Sequence, residues 1–143
     1  LGITPEGRAA AVATSGTPDC QIVVRGGSNG PNYASEHVAK AVAKAEKTGV
    51  IPSLMIDCSH GNSSKDPERQ PAVLQNVMQQ VTDGNRHIHS VMMESNLKAG
   101  NQKMPANLEE LEYGVSITDG CLDWAATEKA LRDTHAALAS RIS

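Results

Sequence analysis

The sequence predicts an α/β fold in which short parallel strands alternate with amphipathic helices. Apolar, β-branched runs recur between turn-forming clusters, and each later run is followed by a segment of helical periodicity. The runs are continuously apolar and end in polar residues, a pattern that fits parallel strands covered on both faces. No repeat, linker or low-complexity tract divides the 143 residues, so one domain is expected.

Taken in order, LGIT and AAAVATS are two short runs separated by PEG and closed by SGTPD, so residues 1–20 predict a hairpin. QIVVRGG then predicts a buried strand. From Ser35 to Thr48, Val38, Ala41, Val42 and Ala45 share one face, with lysines and glutamates elsewhere and Gly49 placed to end the helix. SLMIDCSH, Ser53 to His60, is the next strand. A helix follows from Gln70 to about Thr82 with Val73, Val77 and Val81 in register, and HSVMMES, His89 to Ser95, is a further strand. A Gly-, Asn- and Pro-containing loop reaches Tyr113. The last helix is expected from near Trp124 to Ser140, with Ala126, Ala130, Leu131 and Leu138 on its apolar side.

Composition narrows the function. A formal net charge of -3 gives no general basic field for nucleic acid or an acidic membrane surface. No apolar run approaches the roughly 20 residues that span a bilayer, and no secretory signal opens the chain, so a cytoplasmic protein is expected. Cys20, Cys58 and Cys121 are too scattered for a disulfide framework and read as reduced thiols. Aromatic content is only 2%, with no Phe, so the core must be aliphatic or shared. The apolar opening residues, without a polar lead-in, are expected to belong to a fragment of a larger domain.

In parallel α/β architectures reactive side chains gather at the carboxyl ends of strands. Arg25 closes the first parallel strand beside two glycines, where a guanidinium could hold a phosphate or pair with a neighbouring carboxylate; the residues leave both readings open. His60 ends the second strand. Strand alternation would put Ile56, Cys58 and His60 on one face and Met55, Asp57 and Ser59 on the other. A lone histidine is more often structural than a ligand, but Glu94 ends the third strand and Asp119 lies in the polar loop YGVSITDGC. One imidazole and two carboxylates from separate strand ends would suit manganese, iron, cobalt or zinc. His87 and His89 stand at the entering end of their strand and read as structural or surface residues. Cys58 reads as core packing, Cys121 is left open near the site, and Lys65 and Arg69 read as solvated charges.

VVRGGSNGPNY, LMIDCSHGNSSKD, VMMESNLKAGNQ and YGVSITDGCLDW together resemble, in order and spacing, the closing motifs of the microbial and fungal, feedback-regulated 3-deoxy-D-arabino-heptulosonate-7-phosphate synthases. The resemblance covers nearly the whole chain. It implies a (β/α)8 barrel of which residues 21–143 form about the last three strands and their helices, preceded by a regulatory-type hairpin at 1–20. It implies condensation of phosphoenolpyruvate with erythrose 4-phosphate, with release of phosphate, as the first step of the shikimate pathway to aromatic amino acids. It also implies one divalent metal ion acting as a Lewis acid on the aldehyde oxygen. His60, Glu94 and Asp119 would be metal ligands, His60 and Asp119 catalytic, and Arg25 and Asp119 substrate-binding. Gly2 and Val12 would lie in the hairpin that helps form the inhibitor pocket; Gly2, where phenylalanine-sensitive relatives tend to carry serine, leans towards a tyrosine- or tryptophan-sensitive type. A homo-oligomer, dimer or tetramer, is also implied.

The family's remaining metal ligand, a cysteine on an early strand, and its KPRT stretch have no counterpart here, and Cys58 is not promoted to that role. The 143-residue chain alone is therefore expected to be inactive. Three alternatives stand beside this reading: a non-catalytic remnant or regulatory domain of the same fold, a metal-dependent aldolase of another family, and an α/β domain without a site.

Overall fold

The computed structural model describes residues 1–17 and 19–142. A two-stranded antiparallel hairpin pairs β1 (Gly2–Ile3) with β2 (Ala9–Ala10). Its turn is closed by Gly7 N–H donating to Thr4 O at 2.8 Å and Thr4 N–H donating to Arg8 O at 2.9 Å. The expected turn at SGTPD includes residue 18, which lies outside the described residues.

The main sheet is parallel and three-stranded, in the order β3 (Ile22–Val24), β4 (Leu54–Asp57), β5 (Ile88–Met92). Helix α1 (Ser35–Lys47) connects β3 to β4, α2 (Gln70–Thr82) connects β4 to β5, and α3 (Trp124–Ile142) packs against α2. Parallel neighbours require such crossovers, and the helices cover the sheet face that would otherwise be wet. Asp123 starts α3 by accepting Ala126 N–H on Oδ1 at 2.7 Å, a conventional N-terminal cap.

The core is aliphatic, as the scarcity of aromatic residues requires. Val38 of α1, Leu54 and Ile56 of β4, and Val77 of α2 are all 0% exposed. Burying each is worth about 1.5–3 kcal/mol. Val73, Leu74 and Met78 of α2, Ile88 of β5 and Ala130 of α3 join the same cluster, with Ala41, Val42, Val81 and Leu138 packed against it.

Three sequence expectations are corrected. Val23 is 51% exposed although its strand was expected to be buried, because within these 143 residues β3 pairs on one side only, with β4, and only Val24 reaches the core. Leu131 is 52% exposed, and the inward position is taken by Thr127, whose Oγ1 donates to Asp123 O at 2.8 Å. A polar residue that returns its hydroxyl to the preceding turn can face inward, so apolarity alone misplaced the helix face. Finally, β4 stops at Asp57 rather than at His60, and the alternation of faces stops with it.

Candidate metal and anion site

The carboxyl ends of β3, β4 and β5 meet at one edge of the sheet, and the loops leaving them are held by close backbone approaches. Gly61 N–H donates to Arg25 O at 3.0 Å. A Cβ on Gly26 would stand 2.6 Å from Gly61 Cα, and Gly26 has φ +86°, so both space and backbone conformation demand glycine there. Asn62, 3% exposed, braces the same corner. Its Nδ2 donates to Val24 O at 2.9 Å and Asp57 O at 2.8 Å, and its Oδ1 accepts Asn32 N–H at 2.8 Å.

Beyond Asp57 the chain leaves the strand and coils through residues 59–65. Ser64 and Lys65 both adopt left-handed backbone, φ 58° and 62°, which is costly for residues with a Cβ. Lys65 N–H closes this coil by donating to His60 O at 2.8 Å. The coil turns His60 back over the strand end so that its Nδ1 lies 2.8 Å from Asp57 Oδ2. Asp57 and His60 thus come together, where strict alternation would have separated them.

Glu94 follows β5 and is clamped on its backbone by Gln70, which is 0% exposed. Gln70 Nε2 donates to Glu94 O at 3.1 Å and Gln70 Oε1 accepts Glu94 N–H at 2.8 Å. The side chain is oriented by Ser59, whose Oγ donates to Glu94 Oε2 at 2.7 Å, leaving Oε1 directed towards His60. Asp119 arrives from the long loop after β5. That loop returns along the sheet end: Leu122 N–H donates to Glu94 O at 3.0 Å, and Asn96 N–H donates to Leu122 O at 2.9 Å. Asn101 Nδ2 holds the segment before Asp119 through Thr118 O at 2.8 Å.

The result is a convergence on one nitrogen. His60 Nε2 lies 3.6 Å from Glu94 Oε1 and 3.5 Å from Asp119 Oδ2, and the three candidate ligand atoms lie within 4.8 Å of one another. Two donors each ~2.1 Å from a common ion at a tetrahedral angle would be separated by about 3.4 Å. Imidazole nitrogen with carboxylate oxygens is a donor set for a borderline-to-hard divalent cation. Ser59, Lys65 and Gly120 complete the lining of the small pocket around these atoms. Lys65 borders this pocket while remaining exposed, in keeping with its reading as a solvated charge. Arg69 does pair at the surface, with Nε 3.2 Å from Asp66 Oδ2.

Arg25 stands beside this cluster. Its Nε lies 3.9 Å from Asp57 Oδ2, while its side chain is 58% exposed, so a neighbouring carboxylate leaves most of the guanidinium open to an incoming anion. Asp57, its side chain 3% exposed, would be costly to bury without the imidazole, the guanidinium and the Ser59 N–H that Oδ1 accepts at 2.8 Å.

The remaining candidates fall outside the cluster or at its margin. Cys58 is 0% exposed within the hydrophobic core, and burial pushes its thiol up to about 12. Cys121 donates to Asp119 O at 3.7 Å; burial raises its pKa, and the nearby Glu94 and Asp119 charges act in the same direction. His89 Nδ1 lies 3.0 Å from His87 O and 3.4 Å from Ser53 Oγ, at the entering end of the strands. In the hairpin, a Cβ on Gly2 would stand 2.6 Å from Val12 Cγ2, so these two positions are in direct contact.

Asp57, Ser59 and Gln70 were not singled out from sequence. The signal for Asp57 was its position three residues before His60 where a strand gives way to a glycine-containing turn. Gln70, hidden at the start of an amphipathic helix, offered none.

Comparison with known proteins gives a consistent result. The model of the DAHP synthetase I family matches residues 3–132. The chain is 47% identical over 135 residues to the Tyr-sensitive phospho-2-dehydro-3-deoxyheptonate aldolase of Escherichia coli, covering 94% of this chain and 38% of that protein. It is 44% identical over 144 residues to the tyrosine-inhibited phospho-2-dehydro-3-deoxyheptonate aldolase of Schizosaccharomyces pombe, covering 99% of this chain and 39% of that protein. Among solved structures, the phospho-2-dehydro-3-deoxyheptonate aldolase of Francisella tularensis superposes with a TM-score of 0.85 at 42% identity, covering 99% of this chain and 40% of that one. The chain therefore spans about two fifths of the length of these relatives.

Proposed function

The chain belongs to the DAHP synthetase I family, and from that membership we propose that it carries the metal-holding and phosphate-binding end of a 3-deoxy-D-arabino-heptulosonate-7-phosphate synthase. The reaction is a transferase condensation of phosphoenolpyruvate with erythrose 4-phosphate that releases phosphate and starts aromatic amino-acid biosynthesis. Residues 21–143 supply the last three strands and helices of a (β/α)8 barrel, and residues 1–20 a regulatory hairpin inserted before them. The observation that carries this reading is the convergence of Glu94 Oε1 and Asp119 Oδ2 on His60 Nε2, at 3.6 and 3.5 Å.

His60, Glu94 and Asp119 would hold one divalent ion: manganese, iron, cobalt or zinc. Such an ion, when bound, polarises a carbonyl oxygen where negative charge develops. The chain's own residues do the rest. Arg25 presents a largely open guanidinium to the phosphate of phosphoenolpyruvate, a match of planar donors to an oxyanion. Asp119, its side chain 53% exposed, reaches outward far enough to orient the sugar phosphate as well as to face the ion. Lys65, exposed, borders the same pocket.

The synthase activity is assigned to the full-length gene product, since this chain spans only 38% of the Escherichia coli relative. The 143 residues alone are proposed to be inactive. Feedback inhibition by tyrosine is proposed through the hairpin that contains Gly2 and Val12, in a homo-oligomeric, cytoplasmic enzyme. No helix among the described residues is long and apolar enough to cross a membrane.

The test is a manganese titration of the full-length gene product and its His60→Ala, Glu94→Gln and Asp119→Asn variants, with condensation followed in parallel. Each replacement is expected to weaken manganese binding by more than the roughly 10–100-fold that loss of an outer supporting group costs, and to abolish turnover with the fold retained. Wild-type manganese affinity in all three variants would refute the assignment.

A further inference from the structure

We propose that Asp57 is a positioning residue that sets which nitrogen of His60 is free to bind the metal; this rests on the metal site proposed above. Asp57 Oδ2 lies 2.8 Å from His60 Nδ1, and an ionised carboxylate can only accept. Nδ1 must therefore carry the proton. The lone pair of the neutral imidazole is then left on Nε2, the nitrogen that faces Glu94 Oε1 at 3.6 Å and Asp119 Oδ2 at 3.5 Å. A histidine that donates from its far nitrogen to a carboxylate is held in one tautomer and one ring orientation, and its near nitrogen becomes the better ligand.

Two features fix the direction of this control. Asp57 is 2% exposed at the last position of β4, so water does not compete for its oxygens. Its other oxygen, Oδ1, accepts Ser59 N–H at 2.8 Å, an obligatory backbone donor at the start of the coil. The carboxylate thus faces donors on both sides, with Arg25 Nε at 3.9 Å supplying a compensating charge.

This geometry makes Asp57→Asn more than a loss of charge. An amide has only one acceptor oxygen, and the Ser59 N–H claims it, so the amide NH2 is turned towards His60 Nδ1. Nδ1 must then be bare and Nε2 must carry the proton, closing the lone pair that the metal needs. One isosteric change is expected to reverse the tautomer.

The experiment uses the full-length gene product. In metal-free wild type, ¹⁵N histidine shifts should show Nδ1 of His60 protonated, whether or not Nε2 is protonated too. In Asp57→Asn, Nδ1 should be unprotonated and Nε2 protonated, with manganese bound 10–100-fold more weakly. A bare Nδ1 in wild type would overturn the proposal without any variant having to fold, as would wild-type manganese affinity in a folded Asp57→Asn protein. The wild-type shifts are read without metal, so they stand even if manganese proves not to bind at His60, the outcome that would refute the metal site itself.

Discussion

Around His60, each turn of the chain is braced by a buried polar side chain or by a glycine in close contact, whereas within these 143 residues the segment at 1–12, which contains the hairpin, turns several apolar side chains to solvent. Asn62, Gln70 and Asp57 are 3%, 0% and 2% exposed; Leu1, Ile3 and Val12 are 115%, 77% and 59% exposed. The sheet end is preorganised, its donors and acceptors already spent on holding ligand atoms within reach of one another. Within these 143 residues the hairpin is held by its strand pairing and its turn. A site for chemistry needs the first arrangement, because a ligand atom displaced by an ångström no longer shares an ion.

The sharpest break of this contrast is at Gly26. Alanine there would have to keep φ near +86° with its Cβ 2.6 Å from the Gly61 backbone, which cannot rotate away as a side chain could. Left-handed strain and a backbone clash together should cost roughly 2–5 kcal/mol. Urea unfolding of the full-length protein carrying Gly26→Ala should show this loss, with weakened manganese binding because the coil that carries His60 is displaced. Unchanged stability would mean that the close approach does not brace the site.

The cysteines sharpen the same comparison at smaller cost. Cys58 lies in the core beneath the site, while Cys20 is exposed just after the hairpin. A thiol reagent at neutral pH should label Cys20 rapidly and leave Cys58 untouched until the protein unfolds. The linkage has a definite sign. The folded pKa of Cys58, about 12, lies above its ordinary 9.0, so the unfolded chain loses this proton first. Stability is fully present below pH 9.0 and falls as pH rises through the window up to about 12. Rapid labelling of Cys58 in the native protein would show that the sheet end opens as readily as the hairpin.

Much of the architecture was legible because it rests on periodicity: Val38 and Ala45, Val73 and Val77 announced their helix faces, and the order of strands followed. His60 and Glu94 were legible as polar residues at the ends of apolar runs, and Asp119 as an acid in the polar loop YGVSITDGC. What escaped was whatever depended on the chain leaving its period. Asp57 was assigned to the face opposite His60 because alternation was carried past the end of β4, and the coil that turns His60 back was missed because the two successive left-handed residues Ser64 and Lys65 cannot be seen in SSK. Gln70 was hidden for another reason: its two hydrogen bonds run to the backbone of Glu94, 24 positions away, and no local pattern marks a side chain that serves another residue's main chain.

The smallest effect on stability should come from Gly2→Ser, and there the contrast is tested from the hairpin's side. A Cβ at position 2 meets Val12 Cγ2 at 2.6 Å, but this neighbour is the tip of a side chain, which can rotate away as a backbone atom cannot. Gly2 does not occupy the left-handed region, so no backbone strain is added. The stability change should stay within about 0.5 kcal/mol, and turnover without inhibitor should match wild type. Inhibition by tyrosine should nevertheless shift, by about tenfold if the displaced Val12 removes some 1.4 kcal/mol of contact, and Val12→Ala in the same protein should restore part of it by returning the space. An inhibition curve indifferent to both changes would separate the hairpin from regulation and leave its exposed apolar residues without that role.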